Sequence, residues 1–151
     1  MVSFPSQPAV TQVRVTDDNR TGAAWRYRLL ADFAYDREFV ESVERIIVPA
    51  GFTFDGASIP RAAWSVVGLT PGGPILAAAT VHDLLYRFDG KLPPGCLLER
   101  ELGGDWRPLD YAFSRKEADA IFREIMRATG AFRGLQIWAA HAAVRVFGRR
   151  W

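Results

Sequence analysis

Arg45-Ile-Ile-Val-Pro-Ala-Gly-Phe-Thr-Phe-Asp-Gly-Ala-Ser-Ile-Pro-Arg61 is where the chain changes its periodicity. Before it, apolar residues alternate with polar ones, the pattern of a half-buried strand. After Asp55 they recur at steps of three and four, the pattern of a helix. Ser58-Ile-Pro60 marks the switch, with a hydroxyl able to cap a helix and then a Pro where a missing N–H does no harm.

Upstream, residues 1–10 carry Pro5 and Pro8 and read as an extended arm. Val13 and Val15 form a first strand. Trp25, Tyr27 and Leu29 form a second, across the turn cluster Asp17–Gly22, and Phe33 and Tyr35 extend it. Residues 36–44 fit strand or loop equally. Arg45–Val48 is a third strand, and Pro49-Ala-Gly51 turns the chain into a fourth, Phe52–Phe54.

Downstream, Ala62–Val67 is a short apolar helix stopped by Gly68. A second helix runs from about Pro74 to Phe88, with Ile75, Ala78, Ala79, His82, Leu85 and Tyr86 on one face. Leu97–Leu102 and Trp106–Leu109 suit a small hairpin. Ser114-Arg-Lys-Glu117 is a capping box. It opens a helix whose stripe is Ala118, Ile121, Phe122, Ile125, Met126 and Thr129, closed by Gly130. A last helix spans about Gly134–Phe147, with Leu135, Trp138, Ala139, Ala142 and Val146 as its expected buried side. The expectation is a single α+β domain over residues 1–151: a small N-terminal antiparallel sheet of about four strands packed on about four helices.

Composition narrows the class. Hydrophobic content of 49% supports a core, and a net charge of +2 is no nucleic-acid footprint. Arg133, Arg145, Arg149 and Arg150 follow the last acidic residue, Glu124, and read as a solvated helix surface or a contact for an acidic partner. The single Cys96 excludes an internal disulfide. The N-terminus lacks a signal-peptide pattern and no run reaches the ~18 apolar residues of a membrane span. Synthesis and folding in the cytoplasm are expected.

The polar residues of the middle third carry the chemistry. Asp55 closes the fourth strand, where it can accept from the following helix start or bind a cation. His82 lies on an apolar helix face with Tyr86 one turn on, and Asp83 is rotated ~100° from it. Asp119 sits at the edge of the capped helix, able to face His82 or to pair with Arg115 or Arg123. Three site chemistries follow. His82 acts as general base oriented by Asp119 or Tyr86. Alternatively Asp55, His82, Asp83 and Asp119 hold a divalent metal. In the weakest, Ser58 is a nucleophile with His82 as base, although Ser58 has no nucleophile elbow. Against all three stands a hydrogen-bonded core histidine, with Asp83 paired to Arg61 or Arg87 and Asp55–Ser58 forming an Asx turn. His141, among alanines, reads as structural. The spacing His82-Asp83-x-x-Tyr86 is also similar to the secreted phospholipase A2 motif, where an Asp on a second helix, here Asp119, orients the His. The disulfides and calcium loop of that family have no counterpart here.

Phe52–Arg61, Trp64, Ala78–Tyr86 and Ser114–Phe122 together resemble an uncharacterised domain-of-unknown-function family of tailed bacteriophages and prophages. Its pattern is T-D-L-A-S-I/V-P-R, then H-D-x-L-Y, then A-D-x-x-F. Phe54 and Gly56 depart from the usual Thr and Leu. The resemblance implies a phage or prophage protein from the tail or lysis genes. Its motif falls on Asp55, Ser58, Arg61, His82, Asp83, Tyr86 and Asp119. The favoured expectation is a small hydrolase acting on cell-envelope material. It uses His82, Asp119 and Tyr86, with Ser58 and Arg61 at the substrate and a divalent metal at Asp55 and Asp83. The alternative is a non-enzymatic virion or assembly component, contacting other phage structural proteins, in which the polar cluster is structural.

Overall fold

The computed structural model describes residues 7–16, 23–54 and 73–147. Their elements are β1 (Val10–Thr16), β2 (Ala23–Leu29), β3 (Phe33–Glu38), β4 (Val43–Val48), β5 (Thr53–Phe54), α1 (Ile75–Arg87), β6 (Leu97–Leu102), β7 (Asp105–Pro108), α2 (Arg115–Ala128) and α3 (Gly134–Phe147). The expected helix at Ala62–Val67 lies outside the described residues, as do Asp55, Ser58 and Arg61.

The protein is α+β, but its strands form two antiparallel sheets where one was expected. The first has the order β1-β2-β5 and the second β3-β4-β6-β7. Phe33 and Tyr35 therefore do not extend β2. The chain bends at Leu30 and Ala31, and the Asp32 carboxylate accepts the Ala50 N–H at 2.8 Å. Opposite that bend, Gly51 adopts φ +84°, a conformation open to glycine at little cost. One long hairpin is thus broken on both strands at the same level. Leu29 bonds Phe52 on one side of the break, and Phe33 pairs with Val48 on the other.

The last strands form the expected hairpin. Leu102 pairs with Asp105 across Gly103 and Gly104, both at positive φ, as a two-residue primed turn requires.

The inner face of the second sheet, with Phe33, Tyr35, Ile46, Val48 and Leu98, is buried. The Tyr35 hydroxyl crosses to α2 and donates to Glu124 at 2.6 Å. On the same sheet the buried Glu44 is gripped by Arg37 at 3.2 Å and by Arg100. Helix α1 is the centre of the molecule. It packs on α2, β4 and β5, and every residue from Ile75 to Leu85 is buried. Each fully buried Leu there contributes roughly 1.5–3 kcal/mol.

Two local features set α2 against α1. Gly90 ends α1 with φ +77°, and a Cβ there would lie 1.7 Å from the Phe113 carbonyl oxygen. The close approach is closed by a Phe113 N–H bond to the Gly90 carbonyl at 2.9 Å. Immediately afterwards Ser114 and Glu117 form the capping box, with the Ser114 N–H donating to Glu117 at 2.8 Å.

Helix α3 buries the face opposite to the expected one. Ile137, Ala140, Ala143 and Val144 pack inward, whereas Leu135, Trp138 and Val146 are exposed. Helix α3 packs on α2 through this face. Because the helix is apolar nearly all round, its periodicity holds no polar stripe to mark the outside.

Candidate functional site

Three helices meet around one carboxylate. Asp119, in the second turn of α2, is 0% exposed, and His82, in the middle of α1, is 1% exposed. The capping box fixes where α2 begins, and the stripe Ala118, Ile121, Phe122 and Ile125 fixes its rotation, so Asp119 faces α1. His82 Nε2 lies 2.9 Å from Asp119 Oδ1. An ionised carboxylate only accepts, so this nitrogen carries the hydrogen. Tyr86, one turn along α1, donates its hydroxyl to the same oxygen at 2.5 Å. The other oxygen, Oδ2, accepts from Arg145 Nη1 of α3 at 2.8 Å.

A second layer braces these contacts. Arg115 Nε donates to the Tyr86 hydroxyl at 3.0 Å, and its Nη2 donates to the Arg145 backbone carbonyl at 2.7 Å. The His82 ring lies 4.0 Å from the Tyr86 ring and 5.1 Å from that of Phe122. His82, Asp83, Tyr86 and Arg115 each make a further interaction beyond these.

The electrostatics follow from this geometry. Burial alone would push the Asp119 carboxyl up. The hydrogen bonds from His82, Tyr86 and Arg145 override it and hold the group down at about 2. Burial and the bond to Asp119 push the Tyr86 hydroxyl up to about 12. At neutral pH the cluster holds an anionic Asp119 and a neutral Tyr86.

Of the expected site residues, His82, Tyr86 and Asp119 come together, with Asp119 facing α1, one of the two orientations that its place on the helix left open. Asp83 is buried, but one helical step of ~100° turns it away from Asp119. Asp55, Ser58 and Arg61 are outside the described residues. Among the described residues no group of three or more His, Cys, Asp or Glu side chains could hold a metal ion. Sequence reasoning missed Arg145 in the cluster. An arginine in the last turn of a terminal helix ordinarily reads as solvated, and the only signal was that it is the sole Arg, Lys, Asp or Glu on α3. Arg115, considered as a partner for Asp119, instead bonds Tyr86. Arg87, considered for Asp83, lies over the Phe52 ring at 4.6 Å.

A cleft of about 250 Å³ opens elsewhere, between Lys91, Cys96, Leu98 and Tyr111, and touches none of the cluster. Burial pushes the Cys96 thiol up, which disfavours a thiolate there. His141 is half-buried on α3, where burial and the Arg123 charge lower its pKa.

A saturated, ionised carboxylate is a poor base and a poor nucleophile. What this one can do is hold three helices and fix the orientation of one imidazole. A family model described as "Protein of unknown function (DUF1353)" matches residues 27–144, so the chain belongs to that family. No curated protein and no solved structure matches it. No described helix is long and apolar enough to cross a membrane.

Proposed function

We propose that this chain is a non-enzymatic virion or assembly component of a tailed phage or prophage. Asp119 is then the centre of a lock that fastens α1, α2 and α3. The observation that carries this reading is the sealing of the cluster, with His82 at 1% and Asp119 at 0% exposure and three donors on one carboxylate. A general base must reach its proton within ~2.6–3.2 Å, and this imidazole has almost no surface to offer a substrate. Likeness of Phe52–Arg61, His82–Tyr86 and Ser114–Phe122 to the tailed-phage pattern supports the phage setting.

The bond between His82 Nε2 and Asp119 also favours a second reading. A carboxylate-held imidazole is the arrangement of an oriented base. In the hydrolase reading the other ring nitrogen acts on cell-envelope material. Tyr86 helps to orient the ring, Ser58 and Arg61 bind substrate, and Asp55 and Asp83 bind a divalent metal.

Asp119→Asn and His82→Asn separate the two. In the assembly reading the purified wild-type protein releases nothing from cell-envelope preparations, with or without added divalent metal. Both variants lose stability, and particle yield falls in step. Envelope hydrolysis by the wild type, abolished in a folded and equally stable His82→Asn, would establish the hydrolase instead.

A further inference from the structure

Most of the half-buried arginine chemistry in this fold is neutralised. Arg37 and Arg100 meet Glu44, Arg45 meets Asp36, and Arg145 meets Asp119. Arg123 and Arg127 of α2 are the contrast. Among the described residues neither one forms an ion pair.

The packing of α3 on α2 sets a third group beside them. The short connection of residues 129–133 makes the two helices antiparallel neighbours. Arg115, at the start of α2, bonds the backbone carbonyl of Arg145, near the end of α3. Asp119 then meets the Arg145 guanidinium at 2.8 Å. One turn of about 6 Å, forward along α2 and backward along α3, brings Arg123 level with His141. One more turn along α2 adds Arg127. Arg123 and His141 are half-buried and Arg127 is exposed. The electrostatics agree with this register. Burial first, and then the Arg123 charge, lower the His141 pKa; Asp119 opposes them, and Arg145 and Arg127 add smaller effects of the same sign as Arg123.

The fold supplies no counter-ion to this row. The oxygens of Asp119 are spent on His82, Tyr86 and Arg145. Glu124 accepts from Tyr35 and lies 3.5 Å from Arg37, on the side of α2 that faces the sheet. No acidic residue follows Glu124 in the chain. Two like charges one helical turn apart repel, and an anion between them would relieve this.

We propose that Arg123, Arg127 and His141 form an anion site at the α2–α3 junction that takes a dianionic phosphate group. A guanidinium presents a planar fork of donors that fits two phosphate oxygens at once. Two such charges match a phosphate of roughly −1.5 to −2 better than a carboxylate of single charge. Free phosphate and the terminal phosphate of a monoester offer this same chemistry, and the test separates them. The site goes beyond the assembly reading and does not rest on it.

The test follows the imidazole proton resonances of the two histidines in the full chain at constant ionic strength. Inorganic phosphate, phenyl phosphate and acetate are titrated in turn. Both phosphates should shift the His141 signals saturably and raise the His141 pKa by about one, because a nearby anion favours the imidazolium. His82, enclosed beside Asp119, should not move. Tighter binding of phenyl phosphate assigns the site to a monoester, and tighter binding of inorganic phosphate assigns it to the free ion. Arg123→Gln and Arg127→Gln should each weaken phosphate binding at least about fivefold. Arg127, being exposed, keeps the test open should Arg123→Gln unfold. Arg107→Gln, on β7, should bind as the wild type does. The proposal is overturned if His141 does not respond or responds no more than His82. Equal affinity for acetate, wild-type affinity in Arg127→Gln, or an equal loss in Arg107→Gln would also overturn it. So would tighter binding of an oligonucleotide lacking a terminal phosphate, which would assign the row to a nucleic-acid backbone. None of these outcomes bears on the assembly reading, which is judged by Asp119→Asn and particle yield.

Discussion

The Asp119 cluster and the outward face of α3 invert the usual arrangement of a folded protein. One places a charge and an imidazole in the core beside a half-buried phenol, and the other places Leu, Trp and Val in water. They differ in how far their demands are met. Every oxygen of Asp119 is bonded, so the buried charge is stabilised where it lies. The exposed seam has no partner among the described residues, and removing it from water is still available to an interface. Helix α3 joins the two: Arg145 reaches Asp119, and Trp138, two turns earlier, is exposed. The contrast predicts large stability effects inside and small ones outside.

Asp119→Ala should have the largest effect. It removes the acceptor for three donors and leaves Arg145 and His82 without their partner. A loss of roughly 3–5 kcal/mol is expected in chemical denaturation. A loss under about 1 kcal/mol would mean that the lock holds little.

Gly90→Ala comes next, because its Cβ would strike the Phe113 carbonyl at a positive φ. It should destabilise by about 2–3 kcal/mol and loosen the α1–α2 joint. Wild-type unfolding midpoints for this variant would refute the close approach.

Acid gives a similar effect through the same carboxylate. An unfolded Asp titrates near ~3.9, whereas Asp119 in the fold titrates at about 2. Because the folded value is the lower one, its stabilisation is complete above about pH 4 and is lost as pH falls toward about 2, on the order of 2 kcal/mol. Denaturation curves across that window should show the loss in the wild type and a smaller one in Asp119→Asn. Equal slopes in the two proteins would contradict the assignment.

The smallest effect belongs to the seam. Trp138→Ser should change stability by no more than about 0.5 kcal/mol, measured by thermal unfolding. A larger drop would show that Trp138 packs inward after all.

The site was more legible in the sequence than the sheets were. Ser114 and Glu117 fixed the start of α2, and from that start the spacing to Asp119 and the His82–Tyr86 pair could be brought together. Capping and helical period are local, so local sequence encodes them. The split into two sheets was hidden because Leu30-Ala-Asp32 carries no Gly or Pro, and the Asp32 bond to Ala50 joins residues far apart in the chain. The rotation of α3 was hidden for another reason. Alanines and large aliphatics surround that helix, and only packing on α2 selects between its two apolar faces. Arg145 went unseen because its partner lies 26 residues away on a neighbouring helix.

Diethyl pyrocarbonate modification of the folded protein, followed by mass spectrometry of its two histidines, tests the sealed lock most directly. His141, half-buried on α3, should be modified readily, while His82 stays unmodified until the protein is denatured. Modification of His82 in the native state, at a rate comparable to that of His141, would contradict a closed cluster and return the imidazole to catalysis.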